Sequence, residues 1–164
     1  MSKKLRQYFG LLSAIAAYYL IHEGAHLLCA LFMGVFRQMH FMGLGIQIDV
    51  YAQTMTPVQM GIFCLVGPAA TAPTGWILTA FTDRITAAHT PVFKACMYYI
   101  TIAMLLIDPL YLSVLYNFFG GGDMNGISYL LPEAAARFIF GCILAINTVL
   151  FFKIVLPKYK TAFD

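Results

Sequence analysis

Long apolar stretches separated by short polar segments dominate the pattern along this chain. Apolar residues fill four spans, at about 8–34, 56–81, 92–118 and 138–156, and residues 50–82 contain no charged side chain. A helix needs roughly 20 apolar residues to cross a bilayer, and each span meets that length. The pattern therefore predicts four transmembrane helices, which occupy most of a chain of 164 residues.

The segment that follows the first span, residues 39–52, has a different period. Ile46, Ile48 and Val50 alternate with polar or aromatic residues, which is typical of a strand, and Gly43 and Gly45 permit a bend. We predict a short strand or hairpin here, at the outer surface of the membrane.

The connection between the third and fourth spans begins with a glycine-rich run at 120–126 that contains Asp123. Glu133 and Arg137 follow with the i,i+4 spacing of an ion pair on one helix face, which predicts a short helix. The chain shows no internal repeat and no linker of low complexity. We therefore predict a single membrane-embedded domain over residues 1–164.

Composition favours an all-α polytopic membrane protein. Hydrophobic residues make up 61% and charged residues 10% of the chain, whereas soluble domains carry about 25% charged residues. The net charge of +3 is small and scattered, so we do not expect nucleic acid as a partner. Lysines and arginines cluster before the first span, between the second and third, and after the fourth. This distribution predicts that both termini are cytoplasmic.

The first span contains the one motif that suggests chemistry, His22-Glu23-Gly24-Ala25-His26. In this H-E-x-x-H pattern the two imidazoles lie one helical turn apart on one face, where they can share a metal ion. Zinc accepts two imidazoles and a carboxylate while keeping one position open for water. Ionisable side chains inside a membrane span are energetically costly, so three within five residues indicate a functional site.

The third metal ligand is expected to be a carboxylate, and three are candidates. Asp123 follows glycines that permit the chain to break and turn back at membrane depth. Asp108 lies at a similar depth in the third span, but it precedes Pro109 and could instead cap a helix that restarts after a kink. Asp49, on the predicted strand, is the weakest candidate. We favour Asp123 over Asp108, and the sequence leaves both open.

These features together resemble the site-2 protease family of intramembrane zinc metalloproteases. That family has H-E-x-x-H in one membrane helix, a strand-like element after it, a middle helix with Gly-Pro, and an Asn-x-x-Pro…Asp-Gly segment two helices later. The corresponding residues here are His22, Glu23 and His26, the strand-like 44–51, Gly67-Pro68, Asn117 and Asp123. The chain departs from the pattern in having Gly120 in place of the proline and Met124 after Asp123.

The resemblance implies a zinc metalloendopeptidase with one Zn²⁺ per chain. His22, His26 and Asp123 would hold the ion, and Glu23 would act as the general base toward a zinc-activated water. The substrate would be a membrane protein or peptide, cut within or beside the bilayer.

Substrate binding is expected at two places. The strand that contains Ile46 and Ile48 would pair with an extended substrate by β-augmentation. Asn117 would support the substrate carbonyl, or it would make an interhelical hydrogen bond instead.

Two other functions remain as alternatives, a non-proteolytic zinc-binding membrane protein and a membrane zinc hydrolase acting on a non-peptide substrate. The presence of Glu23 argues for an enzyme, and the absence of an inverted repeat argues against a transporter. The small size and simple organisation predict a bacterial plasma membrane protein. The sequence does not indicate an oligomeric state.

Overall fold

A computed structural model of the chain describes residues 2–42, 45–120 and 122–163. Gly43, Leu44 and Gly121, which belong to the predicted bend, strand and glycine-rich run, lie outside these ranges. The helices and strands in chain order are α1 (Lys3–Phe32), β1 (Phe36–Met42), β2 (Gly45–Val50), α2 (Pro57–Ala80), α3 (Thr82–Thr86), α4 (Pro91–Leu110), α5 (Tyr116–Phe119), α6 (Gly122–Ile127), α7 (Glu133–Leu150) and α8 (Leu156–Phe163). A 3-10 turn at Ala52–Thr54 precedes α2, and π-helical turns at Tyr111–Leu115 and Phe151–Val155 follow α4 and α7.

Four helical segments are long and apolar enough to cross a membrane. They are Lys3–Phe32, Pro57–Ala80, Pro91–Phe118 and Glu133–Phe163. Helix α1 packs against α2 and α4, and α4 also contacts α2 and α7. Large apolar side chains remain on the outside of this bundle, among them Leu20 and Phe32. The predicted all-α fold with four spans is confirmed.

The fourth segment is longer than the predicted span 138–156. Its first residues include Glu133 and Arg137, which form an ion pair at 3.6 Å on the first turns of α7 and not on a separate short helix. At the other end the helix passes through a π-helical turn into α8, where Pro157 is the second residue. The π-helical turn directly before Pro157 has i→i+5 hydrogen bonds, so the regular α-helical bonding is already interrupted where the proline lacks its N–H. Pro157 therefore does not end the helix.

The predicted hairpin is present and packs against α1. Gly34 has a positive φ of 68° directly after α1, a conformation that favours glycine and turns the chain into β1. Strands β1 and β2 pair antiparallel, with Met39 opposite Ile48. Ile48 is buried in the same apolar cluster as Ala30 of α1. This contact holds β2 beside the helix that carries the H-E-x-x-H motif.

The third span ends in a sharp reversal at the glycine-rich run. Gly120 and Gly122 have positive φ angles of 59° and 58°, which break the helix after α5 and start α6 in a new direction. Helix α6 then packs against α2, where Gly126 is so close to Cys64 that a Cβ atom would lie 2.3 Å from its Sγ. The chain therefore turns back into the bundle at Asp123, as the sequence predicted.

A buried polar contact joins α2, α4 and α7. Pro109 lacks the N–H that would bond to the carbonyl of Leu105 one turn earlier. That carbonyl instead accepts a hydrogen bond from Nδ2 of Asn147, at 2.7 Å. The Oδ1 atom of Asn147 accepts a hydrogen bond from Nε1 of Trp76, at 2.8 Å. Asn147 thus satisfies the carbonyl that the proline leaves free.

Candidate metal centre

The two histidines of the motif point from α1 into the interior of the bundle. His22 and His26 are 6% and 4% exposed, although most of the surface of α1 faces outward. Their spacing of four residues places them on one helix face, and their rings meet with centroids 4.9 Å apart. The predicted convergence of the two imidazoles is therefore present.

Asp123 of α6 completes a group of three close ligand atoms. Its Oδ2 lies 3.1 Å from Nε2 of His22, and its Oδ1 lies 3.4 Å from Nε2 of His26. The two Nε2 atoms are 3.2 Å apart. The three residues could hold a metal ion, because each offers one ligand atom within 4.8 Å of the others.

The opposite ring nitrogens contact acceptors, which sets the protonation of each ring. Nδ1 of His26 lies 2.7 Å from the backbone carbonyl oxygen of Phe63, an atom that only accepts. Nδ1 of His22 lies 3.2 Å from Oδ2 of Asp108. Donation from both Nδ1 atoms would leave the Nε2 of each neutral ring unprotonated and directed toward Asp123, which is the form that binds a metal ion. Metal-binding histidines commonly have such an acceptor on the nitrogen that does not bind the ion.

The centre thus brings the carboxylate of Asp123 and the Nε2 atoms of two imidazoles together in the interior of the bundle. An ionised carboxylate and two imidazole lone pairs repel one another at these distances unless they share a cation. The chemistry of the donor set therefore fits a metal ion.

Gly67 of α2 leaves the space in which the two imidazoles meet. A Cβ atom at this position would lie 2.6 Å from Nε2 of His26 and 2.7 Å from Nε2 of His22. Contacts this short are not tolerated, so any other residue at 67 would displace the ligand nitrogens. Steric exclusion thus explains why position 67 is glycine, and the sequence alone did not reveal this.

Glu23 lies between the histidines and is partly exposed. Its carboxylate lies near the backbone amide of Ile48 in β2. The hairpin is therefore close to the predicted general base.

Asp108 lies behind His22, away from the three ligand atoms. Its carboxylate accepts hydrogen bonds from the hydroxyls of Tyr18 and Thr71 in addition to its contact with Nδ1 of His22. It does not cap a helix that restarts at Pro109, because α4 continues without a break to Leu110. The geometry therefore favours Asp123 as the third ligand and places Asp108 in the surrounding shell.

Asp49, the weakest of the three candidates, contacts residues of the hairpin. It accepts a hydrogen bond from Nε2 of Gln38 at 2.9 Å and lies 3.8 Å from Nδ1 of His40. The group of described residues that could hold a metal does not include it.

The predicted substrate-binding residues lie in different surroundings. Asn117 is exposed and its Oδ1 accepts a hydrogen bond from Arg137 of α7, which is the interhelical contact considered as the alternative. The side chain of Ile48 is buried and that of Ile46 is half-buried. A peptide could therefore reach Ile48 only through its backbone.

The sequence did not single out Tyr18 and Thr71, yet both contact the carboxylate behind His22. A weak signal was present for each. Tyr18 precedes His22 by one helical turn, and Thr71 follows Gly67 by one turn, so each lies on the face of its helix that points to the centre. Spacing from a known motif residue could have suggested them.

The chain was also compared with known proteins. No family model, no curated protein and no solved structure matches it.

Proposed function

We propose that this protein is a membrane-embedded zinc metalloprotease, similar to the site-2 protease family in the plan of its centre. The observation that carries the proposal is the convergence of Nε2 of His22, Nε2 of His26 and the carboxylate of Asp123. Glu23, adjacent in the chain, supplies the acid–base group that hydrolysis needs.

Zinc suits the spacing of these atoms. Zn²⁺ binds nitrogen and oxygen at about 2.0–2.2 Å in a tetrahedral arrangement, which puts two ligand atoms about 3.3 Å apart. The separations among the three groups are 3.1, 3.2 and 3.4 Å. Three protein ligands leave one tetrahedral position open, as hydrolytic zinc sites require. We therefore assign one Zn²⁺ per chain to His22, His26 and Asp123.

Different residues of the chain would have different roles in the hydrolysis. When bound, zinc polarises a scissile carbonyl and lowers the pKa of a coordinated water. Glu23 accepts the proton of the attacking water at its carboxylate and transfers it to the leaving nitrogen. Asp108 and the Phe63 carbonyl keep the two imidazoles in the orientation and tautomer that zinc requires.

The hairpin supports a peptide substrate over a non-peptide one. Strand β2 lies close to Glu23 at Ile48, so a peptide paired with this strand would lie near the general base. An extended peptide binds a strand edge through main-chain hydrogen bonds, which also exposes the scissile bond. We assign the half-buried Ile46 and the backbone of Ile48 to substrate binding.

The setting of the proposed reaction is a bacterial plasma membrane with both termini cytoplasmic. Four helices long and apolar enough to cross a membrane are consistent with it. The start of α1 and one face of α8 line the same groove, so they lie at the same end of the bundle. The partners are then a membrane protein or peptide substrate and the surrounding lipid.

The proposal is tested on the purified full chain in detergent by measuring zinc per chain and cleavage of a panel of single-span membrane peptides. Glu23→Gln is expected to keep one zinc and to lower the cleavage rate by about 10²–10⁴-fold. Asp123→Ala is expected to lose both zinc and cleavage. The matched control is Glu133→Gln, which makes the same change at an exposed position and should retain both properties.

Each alternative function has its own outcome in this assay. Wild-type protein that binds zinc and cuts no peptide, but hydrolyses other amides or esters, would be a zinc hydrolase of non-peptide substrates. Zinc binding without hydrolysis of either class would indicate a binding protein. A wild-type chain that binds no zinc under metal-replete conditions would overturn the proposal.

A further inference from the structure

A groove of about 430 Å³ opens at the end of the bundle where α1 begins and α8 ends. Helix α1 contributes Lys3 and Arg6 from its first turns, and α4 contributes Tyr98 and Tyr99. Helix α8 forms the third wall and contributes Lys160. None of these residues belongs to the centre proposed above, so the groove is a separate feature of the fold.

The groove collects positive charge that the described part of the chain does not neutralise. Among the ion pairs between described residues, none includes Lys3, Arg6 or Lys160. The residues that line the groove include no carboxylate. By contrast, Lys158 on the same helix α8 pairs with Asp83 at 2.7 Å. The three cations are therefore available to an anion from outside the chain.

The remaining walls of the groove are aromatic and apolar. The rings of Tyr98 and Tyr159 are in contact with centroids 5.0 Å apart, and Tyr159 is 1% exposed. The guanidinium of Arg6 lies over the ring of Phe163, 5.7 Å from its centroid. Cations beside apolar surface at the end of membrane-crossing helices match an amphipathic ligand, with a charged head and a hydrocarbon body.

We infer that this groove binds the phosphate headgroup of an anionic phospholipid from the surrounding membrane. The three unpaired cations would contact the headgroup, and the aromatic walls would contact the glycerol backbone and the first methylenes of the acyl chains. A free phosphate would use only the cations, whereas the lipid uses both kinds of wall. The helices that form the groove belong to three of the four apolar segments, so lipid has direct access to it.

The test compares lipid retention on the detergent-purified full chain by native mass spectrometry. Phosphatidylglycerol and phosphatidylcholine with identical acyl chains are added at equal concentrations. Wild-type protein is expected to retain one phosphatidylglycerol with a preference on the order of tenfold over phosphatidylcholine. Lys3→Gln with Lys160→Gln should abolish most of this preference. Both side chains are exposed, so the double variant is not expected to disturb packing.

Two controls test whether the lipid preference depends on the cations of the groove or on positive charge anywhere on the protein. Lys158→Gln removes a cation from the same helix outside the groove and should leave the preference unchanged. Lys3→Arg with Lys160→Arg preserves the charges and should also retain it. Thermal unfolding without added lipid checks that every variant is folded.

Three outcomes would overturn the inference. One is equal retention of the two lipids by wild-type protein, and another is an equal loss of preference in Lys158→Gln. The third is displacement of phosphatidylglycerol by an equal concentration of glycerol phosphate, which would show that the site recognises a free phosphate group and not a lipid. Zinc content and peptide cleavage are measured in parallel and do not enter this comparison.

Discussion

Asp108 lies directly behind His22, with its Oδ2 atom 3.2 Å from Nδ1 of the imidazole, while Nε2 on the other side of the ring faces Asp123. One imidazole thus joins two carboxylates through its two nitrogens. The carboxylate on the Nδ1 side fixes the tautomer and raises the basicity of Nε2. The two aspartates therefore have different roles although both contact the same ring.

We expect Asp108→Asn to weaken zinc binding without abolishing it. An amide is a weaker acceptor for the Nδ1 proton of His22, and loss of such an outer contact commonly costs about 10–100-fold in metal affinity. Zinc affinity is measured by competition with a chelator of known strength, beside Asp83→Asn as a control on the surface. A complete loss of zinc, equal to that of Asp123→Ala, would make Asp108 a ligand and contradict this assignment.

Gly67→Ala is expected to weaken zinc binding, although alanine is the better helix former by about 1 kcal/mol. The new Cβ would lie 2.6–2.7 Å from the Nε2 atoms of His26 and His22 and would push the rings apart. Overpacking of about 1–3 kcal/mol corresponds to a loss of affinity on the order of tenfold. Gly141→Ala is the control, because the nearest heavy atom to its new Cβ is 3.8 Å away. Equal zinc affinity in the two variants would contradict the steric role of Gly67.

Asn147→Leu is expected to lower the free energy of unfolding by about 1–3 kcal/mol, because it leaves the buried Leu105 carbonyl without a partner and removes the acceptor of the Trp76 Nε1–H. Unfolding in detergent is followed by circular dichroism. Thr148→Val is the control, since the hydroxyl of Thr148 bonds only within its own helix. Zinc content should not change in either variant.

The same contact permits a rescue experiment at Pro109. In the Asn147→Leu background, Pro109→Ala returns the backbone N–H that can bond to the carbonyl of Leu105. The double variant should therefore lose less stability than the sum of the two single variants. Strictly additive losses would show that Asn147 does not compensate for the proline.

Asn117→Ala distinguishes the two roles that the sequence allowed. Because the carboxamide of Asn117 accepts a hydrogen bond from Arg137, we expect the unfolding midpoint to fall in Asn117→Ala and to fall further in Arg137→Gln, which also loses contacts with Ser113 and Glu133. The contribution of such an exposed contact is about 0.5–1.5 kcal/mol. The KM for a cleaved peptide should change equally in both variants. A rise in KM confined to Asn117→Ala would assign this residue to substrate binding.

Local patterns predicted the architecture because they depend on residues that are close together in the chain. The lengths of the apolar stretches predicted four membrane-crossing helices, and the alternation at Ile46 and Ile48 predicted the hairpin. Local patterns were less reliable for predicting where the fourth helix ends. The predicted fourth span ended at about residue 156, whereas the helix continues past Pro157 to Phe163.

The sequence by itself determined that His22 and His26 share one helix face, because a spacing of four residues is nearly one turn. It also determined that a carboxylate was needed, but it could not choose between Asp108 and Asp123. These residues are 86 and 101 positions away from His22, and both reach its ring. Their roles depend on which ring nitrogen each one faces. Only the packing of α4 and α6 around α1 decides that, since the orientation of an imidazole is set by contacts between distant segments.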